Sequence, residues 1–156
     1  MSTTYTYLHY LVAFSDTDAM GIMHHSNHIK LFERGRIDFL KQVGLSYREL
    51  SERSTHFPVL GVECVYKKPC LFDDLLLIAT CLSGLSKTRV EFSYQIFKTQ
   101  AELPKTPSIE PFKNLANLVA TGISKHCCVG EATMPIRIPE ALFQSLEKHL
   151  TLSNKF

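Results

Sequence analysis

Alternation between apolar and polar positions divides the chain into one early strand, one long helix and several later strands. The aromatic and β-branched run Tyr5–Phe14 favours a strand. Ser26 or Asn27 can cap the helix that follows. We extend this helix to about Val43, because Gly44 suits the position just past a helix end.

The long helix carries apolar residues around most of its circumference: Ile29, Leu31, Phe32, Ile37, Phe39, Leu40 and Val43. A helix that is apolar on most sides is embedded in the protein, and we expect that here. Glu33 and Arg36 are three positions apart on it, so they can form an intrahelical ion pair worth a few tenths of a kcal/mol. We expect a structural role for them, either holding the helix in its sheet or reaching across a dimer interface.

The second half of the chain changes to strand periodicity. A short helix near Ser46–Glu52 comes first, and a C-terminal helix is expected after Pro139; the predicted elements are the strands Val59–Lys67, Leu75–Leu85, Thr88–Phe97 and Leu118–Val129 and the helix Glu140–His149. No helix separates the later strands, which favours an antiparallel sheet and the α+β class. The economical architecture is one curved sheet wrapped around the central helix.

Two features of this architecture have consequences. A single wrapped sheet leaves strand edges bare, which favours edge-to-edge pairing of protomers into a homodimer or homotetramer. The segment Thr99–Leu115 contains three prolines and is long for a hairpin connection. It is either an ordered loop with a function or a flexible insertion, and the sequence does not decide between them.

Composition bounds the class of protein. A length of 156 residues suits one domain spanning positions 1–156, and 45% hydrophobic with 21% charged residues is typical of a globular protein. The net charge of +2 is too weak to indicate a nucleic-acid partner. We expect a cytoplasmic protein without an integral membrane segment, because neither a secretory signal nor an apolar run of about 20 residues is present.

The five cysteines do not indicate a metal or disulfide framework. Their number is odd and no C-x-x-C pair occurs, which disfavours both a zinc ribbon and a set of disulfides. Cys127 and Cys128 lie in a predicted strand without an evident histidine–acid partner, so we expect packed residues rather than nucleophiles. The thiols are expected to be reduced.

Candidate chemistry is concentrated between Ala13 and Arg36. Two acids, Asp16 and Asp18, end the first strand, and Gly21 allows a sharp turn before a histidine cluster and the helix start. A carboxylate can act there as a base or nucleophile. The free N–H groups of the first helical turn can stabilise negative charge on a substrate oxygen. We interpret this stretch as the active site.

The string D-T-D-A-M-G-I-M-H-H, followed by F-E-R-G-R, resembles the hotdog-fold thioesterases of the 4-hydroxybenzoyl-CoA thioesterase family, and most of all the bacterial acyl-CoA thioesterase branch linked with the Tol–Pal cluster. The resemblance is strong from Val12 to Gly44. It implies a hotdog fold and hydrolysis of an acyl-CoA to free acid and CoA, without a cofactor. By position, Asp18 matches the catalytic carboxylate, and the backbone N–H of His25 matches the donor to the thioester carbonyl. His28 stands where relatives often carry tyrosine.

Each acid and histidine also has a plainer interpretation. Asp18 by itself suits a turn acid, but its place in the motif favours catalysis. Asp16 is expected to be structural. His24 and His28, spaced i, i+4, imitate a metal site beside the acids. They straddle a turn and no H-E-x-x-H is present, so we expect no metal. The His25 side chain is a further candidate for catalysis or substrate contact.

The resemblance leaves substrate details and two other functions open. The acyl group could be carried by CoA or by an acyl carrier protein. Basic residues that could bind the CoA phosphates, or be solvated surface, are Lys67, Lys68, Lys87 and Arg89. The alternatives are a non-catalytic hotdog module that binds an acyl thioester, and a hotdog dehydratase or hydratase that uses His25 with an acid.

Overall fold

A computed structural model describes residues 3–150 of the chain. Within this range the protein has three α-helices and five strands: β1 (Tyr5–Leu11), α1 (His25–Gln42), α2 (Tyr47–Glu52), β2 (Val59–Tyr66), β3 (Leu75–Leu85), β4 (Arg89–Lys98), β5 (Leu118–Cys127) and α3 (Glu140–Glu147). The predicted span of β3 is confirmed residue for residue. The other boundaries, apart from those of β1 and the start of α1, differ from the prediction by at most two residues.

The five strands form one sheet in the order β1-β3-β4-β5-β2. Every neighbouring pair is antiparallel. This topology, with the long helix α1 packed against the sheet, confirms the predicted α+β class and the hotdog fold. β1 and β2 are the edge strands, one at each edge of the sheet.

One face of α1 packs on the sheet and the other is exposed in the protomer. The buried residues of the helix are His28, Leu31, Phe32, Gly35, Arg36, Phe39 and Leu40. Ile29 and Ile37 are 38% and 40% exposed. The prediction of a helix embedded on most sides is therefore wrong for the protomer. The sheet covers only one face of α1, on which the buried residues recur every three to four positions.

The packing between α1 and the sheet is close. The Phe32 ring stacks on Tyr94 of β4 with ring centroids 4.5 Å apart. Glu33 is exposed and makes no ion pair with Arg36 among residues 3–150. Arg36 instead turns into the protein, where its Nη1 lies 2.9 Å from Nε2 of His126 on β5. This contact agrees with a structural role for Arg36 in holding the helix to its sheet, and the plainer alternative, an ion pair within the helix, does not form among residues 3–150.

Local hydrogen bonds explain two boundary corrections. β1 ends at Leu11 rather than Phe14, because the Val12 N–H donates to the Asp74 carbonyl and a 3₁₀ turn follows over Phe14–Asp16. The residue that caps α1 is His24, not Ser26 or Asn27, because the His24 ring accepts from a backbone N–H of the first turn. Gly44 has a φ of +81° just past the helix, as predicted.

The segment 99–115 lies along the free edge of β1. The backbone groups of Tyr5 and Ser108 exchange two hydrogen bonds, at 2.7 and 2.8 Å. The Tyr7 hydroxyl donates to the Glu110 carbonyl at 2.7 Å and accepts from the Phe112 N–H. These contacts favour the ordered loop over the flexible insertion. They also cover one of the two bare edges.

No helix within residues 3–150 combines the length and the apolar character that crossing a membrane requires.

Candidate active site

A cleft of about 330 Å³ opens between the turn after β1, the start of α1 and the end of β2. Its polar lining consists of Asp18, His25, His28, Tyr66, Lys67 and Lys68, and its apolar lining of Met20, Ile22, Met23, Pro69 and Cys70. The fold therefore brings four of the predicted site residues to one place. Two of them, Asp18 and His25, come from the motif, and the other two, Lys67 and Lys68, directly follow the end of β2.

The backbone turn after β1 positions the Asp18 carboxylate. Its Oδ1 accepts a hydrogen bond from the Met20 N–H at 2.8 Å, and its carbonyl accepts from the Gly21 N–H at 2.9 Å. Gly21 has a φ of +76°, which glycine adopts without strain. The second carboxylate oxygen has no partner among the described residues. Asp18 is thus a turn acid that still offers one free oxygen to the cleft.

Asp16 is occupied by contacts that hold the motif together. Its Oδ2 accepts from the Tyr10 hydroxyl at 2.6 Å and from the Ala13 N–H at 2.8 Å. Its carbonyl accepts from the His24 N–H and the Asn27 side chain, both at 2.8 Å. The hydrogen bond to Asp16 is also the main cause that raises the pKa of Tyr10. These contacts agree with the structural role expected for Asp16.

The first turn of α1 leaves one backbone donor free. The Ser26 N–H donates to Nδ1 of His24, at 3.3 Å, and the Asn27 N–H donates to the His24 carbonyl at 2.9 Å. The His25 N–H, at the first helical position, has no acceptor within residues 3–150. An unpaired N–H at a helix N-terminus is suited to stabilise a substrate oxygen that becomes negative.

The His25 side chain is exposed and lies beside the His24 ring, with ring centroids 4.0 Å apart. Its carbonyl accepts from the Tyr66 hydroxyl at 3.1 Å. Tyr66 thereby connects the end of β2 to the start of α1. Burial is the first of the causes that raise the pKa of Tyr66 to about 12, so the phenol keeps its proton at neutral pH.

Tyr66 and His28 form one wall of the cleft, and the sequence analysis named His28 but not Tyr66. Their rings meet edge to face, with centroids 4.9 Å apart and an interplanar angle of 89°. Burial lowers the pKa of His28, which keeps the imidazole neutral, although the carbonyls of His24 and His25 oppose this shift. The alternation of β2 gave no signal for this contact, since it depends on how the strand end meets the helix.

The four predicted basic residues separate into two places. Lys67 and Lys68 border the Asp18 cleft, and Lys68 Nζ donates to the Ala116 carbonyl. Lys87 is exposed in the β3–β4 turn, and Arg89 at the start of β4 lines a different cleft of about 460 Å³. In the protomer, Lys87 and Arg89 therefore do not border the Asp18 cleft, because the β3–β4 turn does not lie beside it.

The histidines and cysteines have other roles in the fold. Within residues 3–150, no group of three or more histidine, cysteine, aspartate or glutamate side chains is placed to hold a metal ion. His24 uses Nδ1 to cap α1, and His28 faces Tyr66. Cys128 is buried in the core, which raises the pKa of its thiol, and Cys127 is half-buried beside it. Both cysteines are packed residues, as expected.

Comparison with known proteins gives the class, hotdog-fold thioester hydrolases. Residues 12–146 match the family described as the thioesterase-like superfamily, and the chain belongs to it. A provisionally named esterase of Aquifex aeolicus is 32% identical over 87% of this chain and 93% of its own. An acyl-CoA thioester hydrolase of Escherichia coli is 28% identical over 59% of this chain and 69% of its own. The crystal structure of a hypothetical protein from Thermus thermophilus superposes with a TM-score of 0.77, at 26% identity over 92% of this chain and 98% of that one.

Proposed function

We propose that this protein hydrolyses acyl-CoA thioesters to a free carboxylic acid and CoA. One observation carries the proposal: the free carboxylate oxygen of Asp18 and the unpaired N–H of His25 belong to residues that line a single cleft. Hydrolysis of a thioester needs a group that either attacks the carbonyl carbon or activates a water molecule, and it needs a hydrogen-bond donor for the oxyanion. Asp18 and the His25 N–H are candidates for these two roles.

The His25 N–H is the proposed oxyanion donor. The thioester carbonyl oxygen accepts a hydrogen bond from it, and the bond strengthens as the carbonyl carbon becomes tetrahedral and the oxygen gains negative charge. Removing one such donor costs roughly 3–4 kcal/mol of transition-state stabilisation in other enzymes. The positive end of the α1 dipole acts on the same oxygen, since His25 is the first residue of the helix.

Asp18 can act in either of two ways. As a nucleophile, its carboxylate attacks the thioester carbon, the C–S bond breaks, and the CoA thiolate departs. The acyl group is then joined to Asp18 as a mixed anhydride, which water hydrolyses. As a general base, it takes a proton from water while the water oxygen attacks the same carbon, and the thiolate leaves directly. Both routes consume one water and return the Asp18 carboxylate to its starting form.

The remaining lining divides between the two ends of the substrate. The side chains of Met20, Ile22 and Met23 suit an acyl group because they are apolar. Met23 is buried, and Met20 is 75% exposed at the rim of the cleft. Lys67 and Lys68 are exposed at the cleft and suit the phosphates of CoA. Lys87 and Arg89 have no part in this arrangement within one protomer.

The proposal includes a homodimer, or a homotetramer built from dimers, that pairs through β2. This strand is the uncovered edge of the sheet, and its exposed apolar residues are Val59, Leu60, Val62, Val65 and Tyr66. An exposed apolar edge strand is a template for pairing with a second copy. Because Tyr66 also lines the cleft, pairing at β2 would place the partner close to the site.

Cellular placement and branch membership are further parts of the proposal. All five cysteines are free, which is in keeping with a reducing compartment such as the cytoplasm. The motif between Val12 and Gly44 and the likeness to the Escherichia coli acyl-CoA thioester hydrolase support the Tol–Pal-linked branch. Gene neighbours from the Tol–Pal cluster would support that branch, and an unrelated neighbourhood would argue against it.

Release of free thiol from purified protein tests the function directly. The panel should contain short, long and aromatic acyl-CoAs and one acyl carrier protein thioester. We expect turnover with at least one acyl-CoA. Binding without turnover would favour the non-catalytic acyl-thioester module, and a change in double-bond absorbance without thiol release would favour the dehydratase or hydratase.

A further inference from the structure

Asn27 ties the first turn of α1 to the loop that carries Asp18. Its side-chain Nδ2 donates to the Asp16 carbonyl at 2.8 Å. The backbone N–H of His24, which immediately precedes α1, donates to the same carbonyl at 2.8 Å. Asp16 is two positions before Asp18, and His24 is one position before His25. One carbonyl oxygen therefore joins the stretch that carries the carboxylate to the stretch that begins at the proposed oxyanion donor.

The Asp16 carbonyl belongs to a residue that is itself fixed in place. The Asp16 carboxylate accepts hydrogen bonds from the Tyr10 hydroxyl and from the Ala13 N–H, at 2.6 and 2.8 Å. These two bonds connect Asp16 to β1 and to the turn that follows this strand. A donor that binds the Asp16 carbonyl is therefore held at a definite place relative to the sheet.

The Asn27 side chain is not needed to cap the helix. The His24 ring accepts from the Ser26 N–H, and the His24 carbonyl accepts from the Asn27 N–H. His24 thus satisfies the donors at the two positions after His25, whereas the Asn27 amide donates to a group outside the helix. Asparagine is also a poorer helix former than leucine or alanine. The Asn27 side chain therefore contributes to where the helix begins rather than to its formation.

We propose that Asn27 is a positioning residue for thioester hydrolysis, which sets the place of the His25 N–H relative to the Asp18 carboxylate. The inference rests on the proposed thioesterase function. The attacking group and the oxyanion donor act on the carbon and the oxygen of one carbonyl group, so the separation between them must fit that group. A displacement of about 1 Å can cost roughly 100-fold in rate. Asn27 is not among the described residues that line the cleft, so it acts through His25.

Asn27→Leu tests this role, because leucine has nearly the same shape as asparagine but lacks a donor. We expect kcat for thiol release to fall by about 10-fold or more. The Kd of an acyl-CoA analogue in which a methylene group replaces the thioester sulfur should stay within about 2-fold of the parent value. Asn27→Ala, which also lacks the donor, should behave in the same way. A parental kcat in both variants would overturn the proposal.

The amide resonance of His25 separates positioning from a general structural loss. In the parent labelled with ¹⁵N-histidine, the His25 amide proton should move downfield when the methylene analogue binds, because the analogue retains the carbonyl that accepts the hydrogen bond. In Asn27→Leu the analogue should still bind, but we expect this shift to be less than about half as large. A shift of the parental size in Asn27→Leu would show that the N–H is not displaced, and the proposal would be wrong.

Gly35→Ala is the matched control, because a Cβ at Gly35 would disturb the contact of α1 with β3, away from the helix start. We expect it to keep kcat and the His25 amide shift within about 2-fold of the parent. An equal loss of kcat in Gly35→Ala would show that Asn27 acts only through the stability of α1, against the proposal. Failure of the thioesterase function is a distinct result, because the parent would then release thiol from no acyl-CoA.

Discussion

Arg36 of α1 and His126 of β5 are joined by a contact of 2.9 Å between the guanidinium Nη1 and the imidazole Nε2, and both residues are buried. The His126 ring also contacts the Ser124 hydroxyl at 2.7 Å and the Phe57 carbonyl at 3.1 Å. No carboxylate forms an ion pair with Arg36 among residues 3–150. A buried cation thus contacts a neutral histidine instead of a carboxylate.

This contact predicts a loss of stability in mild acid. Burial, followed by the Arg36 charge, lowers the pKa of His126 from 6.5 to about 4. The unfolded chain therefore binds more protons between these two pH values, so the free energy of unfolding falls as pH drops through that window. The slope approaches about 1.4 kcal/mol per pH unit for one such group. Urea denaturation at pH 7, 6 and 5 measures it.

His126→Gln is the matched control for that measurement. The amide can accept from Arg36 and donate to the Phe57 carbonyl, but it does not titrate. We expect a smaller decrease in stability between pH 7 and pH 5 than in the parent. Some decrease should remain, because burial also lowers the pKa values of His28 and His149. An identical pH dependence in the two proteins would show that His126 is not the main titrating group.

Asp18→Asn should remove turnover while preserving the fold. The asparagine side-chain oxygen can still accept from the Met20 N–H, so the turn is retained. The amide can neither attack a carbonyl nor take a proton, and we expect kcat to fall by at least ~100-fold. Substrate binding should survive, as measured by titration of a non-hydrolysable acyl-CoA analogue.

Asp16→Asn provides the comparison for Asp18→Asn. The Asp16 carboxylate accepts hydrogen bonds from the Tyr10 hydroxyl and the Ala13 N–H. We therefore expect the variant to lose about 1–3 kcal/mol of stability, with a much smaller loss of turnover than in Asp18→Asn. Thermal unfolding and steady-state kinetics on both variants separate the two roles. An Asp18→Asn protein that folds normally and hydrolyses substrate within a few fold of the parent would place the catalytic carboxylate elsewhere.

Gly35→Ala should destabilise the contact between α1 and β3. A Cβ at Gly35 would overlap the Thr80 hydroxyl and lie 3.1 Å from Cγ2 of Ile78. Overpacking of this kind costs typically 1–3 kcal/mol, which exceeds the gain of up to ~1 kcal/mol in helix propensity. The free energy of unfolding from urea denaturation measures the balance.

A double-mutant cycle with Thr80→Ala identifies the cause. The Thr80 hydroxyl is buried without a hydrogen-bond partner among the described residues, so its removal alone should change stability by less than about 1 kcal/mol. The double variant should be at least ~1 kcal/mol more stable than the two single effects predict together. Simple additivity would mean that the added methyl group does not meet the hydroxyl.

Edge pairing at β2 predicts an oligomer that a charge can dissociate. We expect sedimentation of the parent as a dimer or a dimer of dimers. Val65→Asp, on the exposed edge strand, should shift it toward the monomer, because a charge there opposes pairing. Ile109→Asp, which is also an exposed apolar position but lies in the loop along β1, should not. A parent that is active as a monomer at working concentration would contradict the proposed assembly.

Catalysis should proceed without a metal. Asp18 and the His25 N–H supply the nucleophile or base and the oxyanion donor, so no step of the proposed reaction calls for a Lewis acid. Thiol release should be unchanged after exhaustive treatment with a chelator. Activity that is abolished by the chelator and restored by one particular divalent metal would overturn this prediction.

The sequence by itself determined the elements and the centre of the proposed chemistry. Strand periodicity located β3 without error, and the glycine at position 44 ended α1 as predicted, because these features depend on residues close together in the chain. The motif from Val12 to Gly44 likewise placed Asp18 and His25 around one turn. A short, local segment carries its own geometry, so its residues stay together in the fold.

Only the tertiary structure decided which distant residues meet. Arg36 finds His126, 90 positions later, instead of Glu33, and Tyr66 reaches the start of α1 from the end of β2. The separation of Arg89 from Lys67 has the same origin. Arg89 starts β4 and Lys67 follows the end of β2, and the two residues line different clefts. Such contacts depend on strand order and on the face of α1 that packs, and the local alternation of apolar and polar residues contains neither.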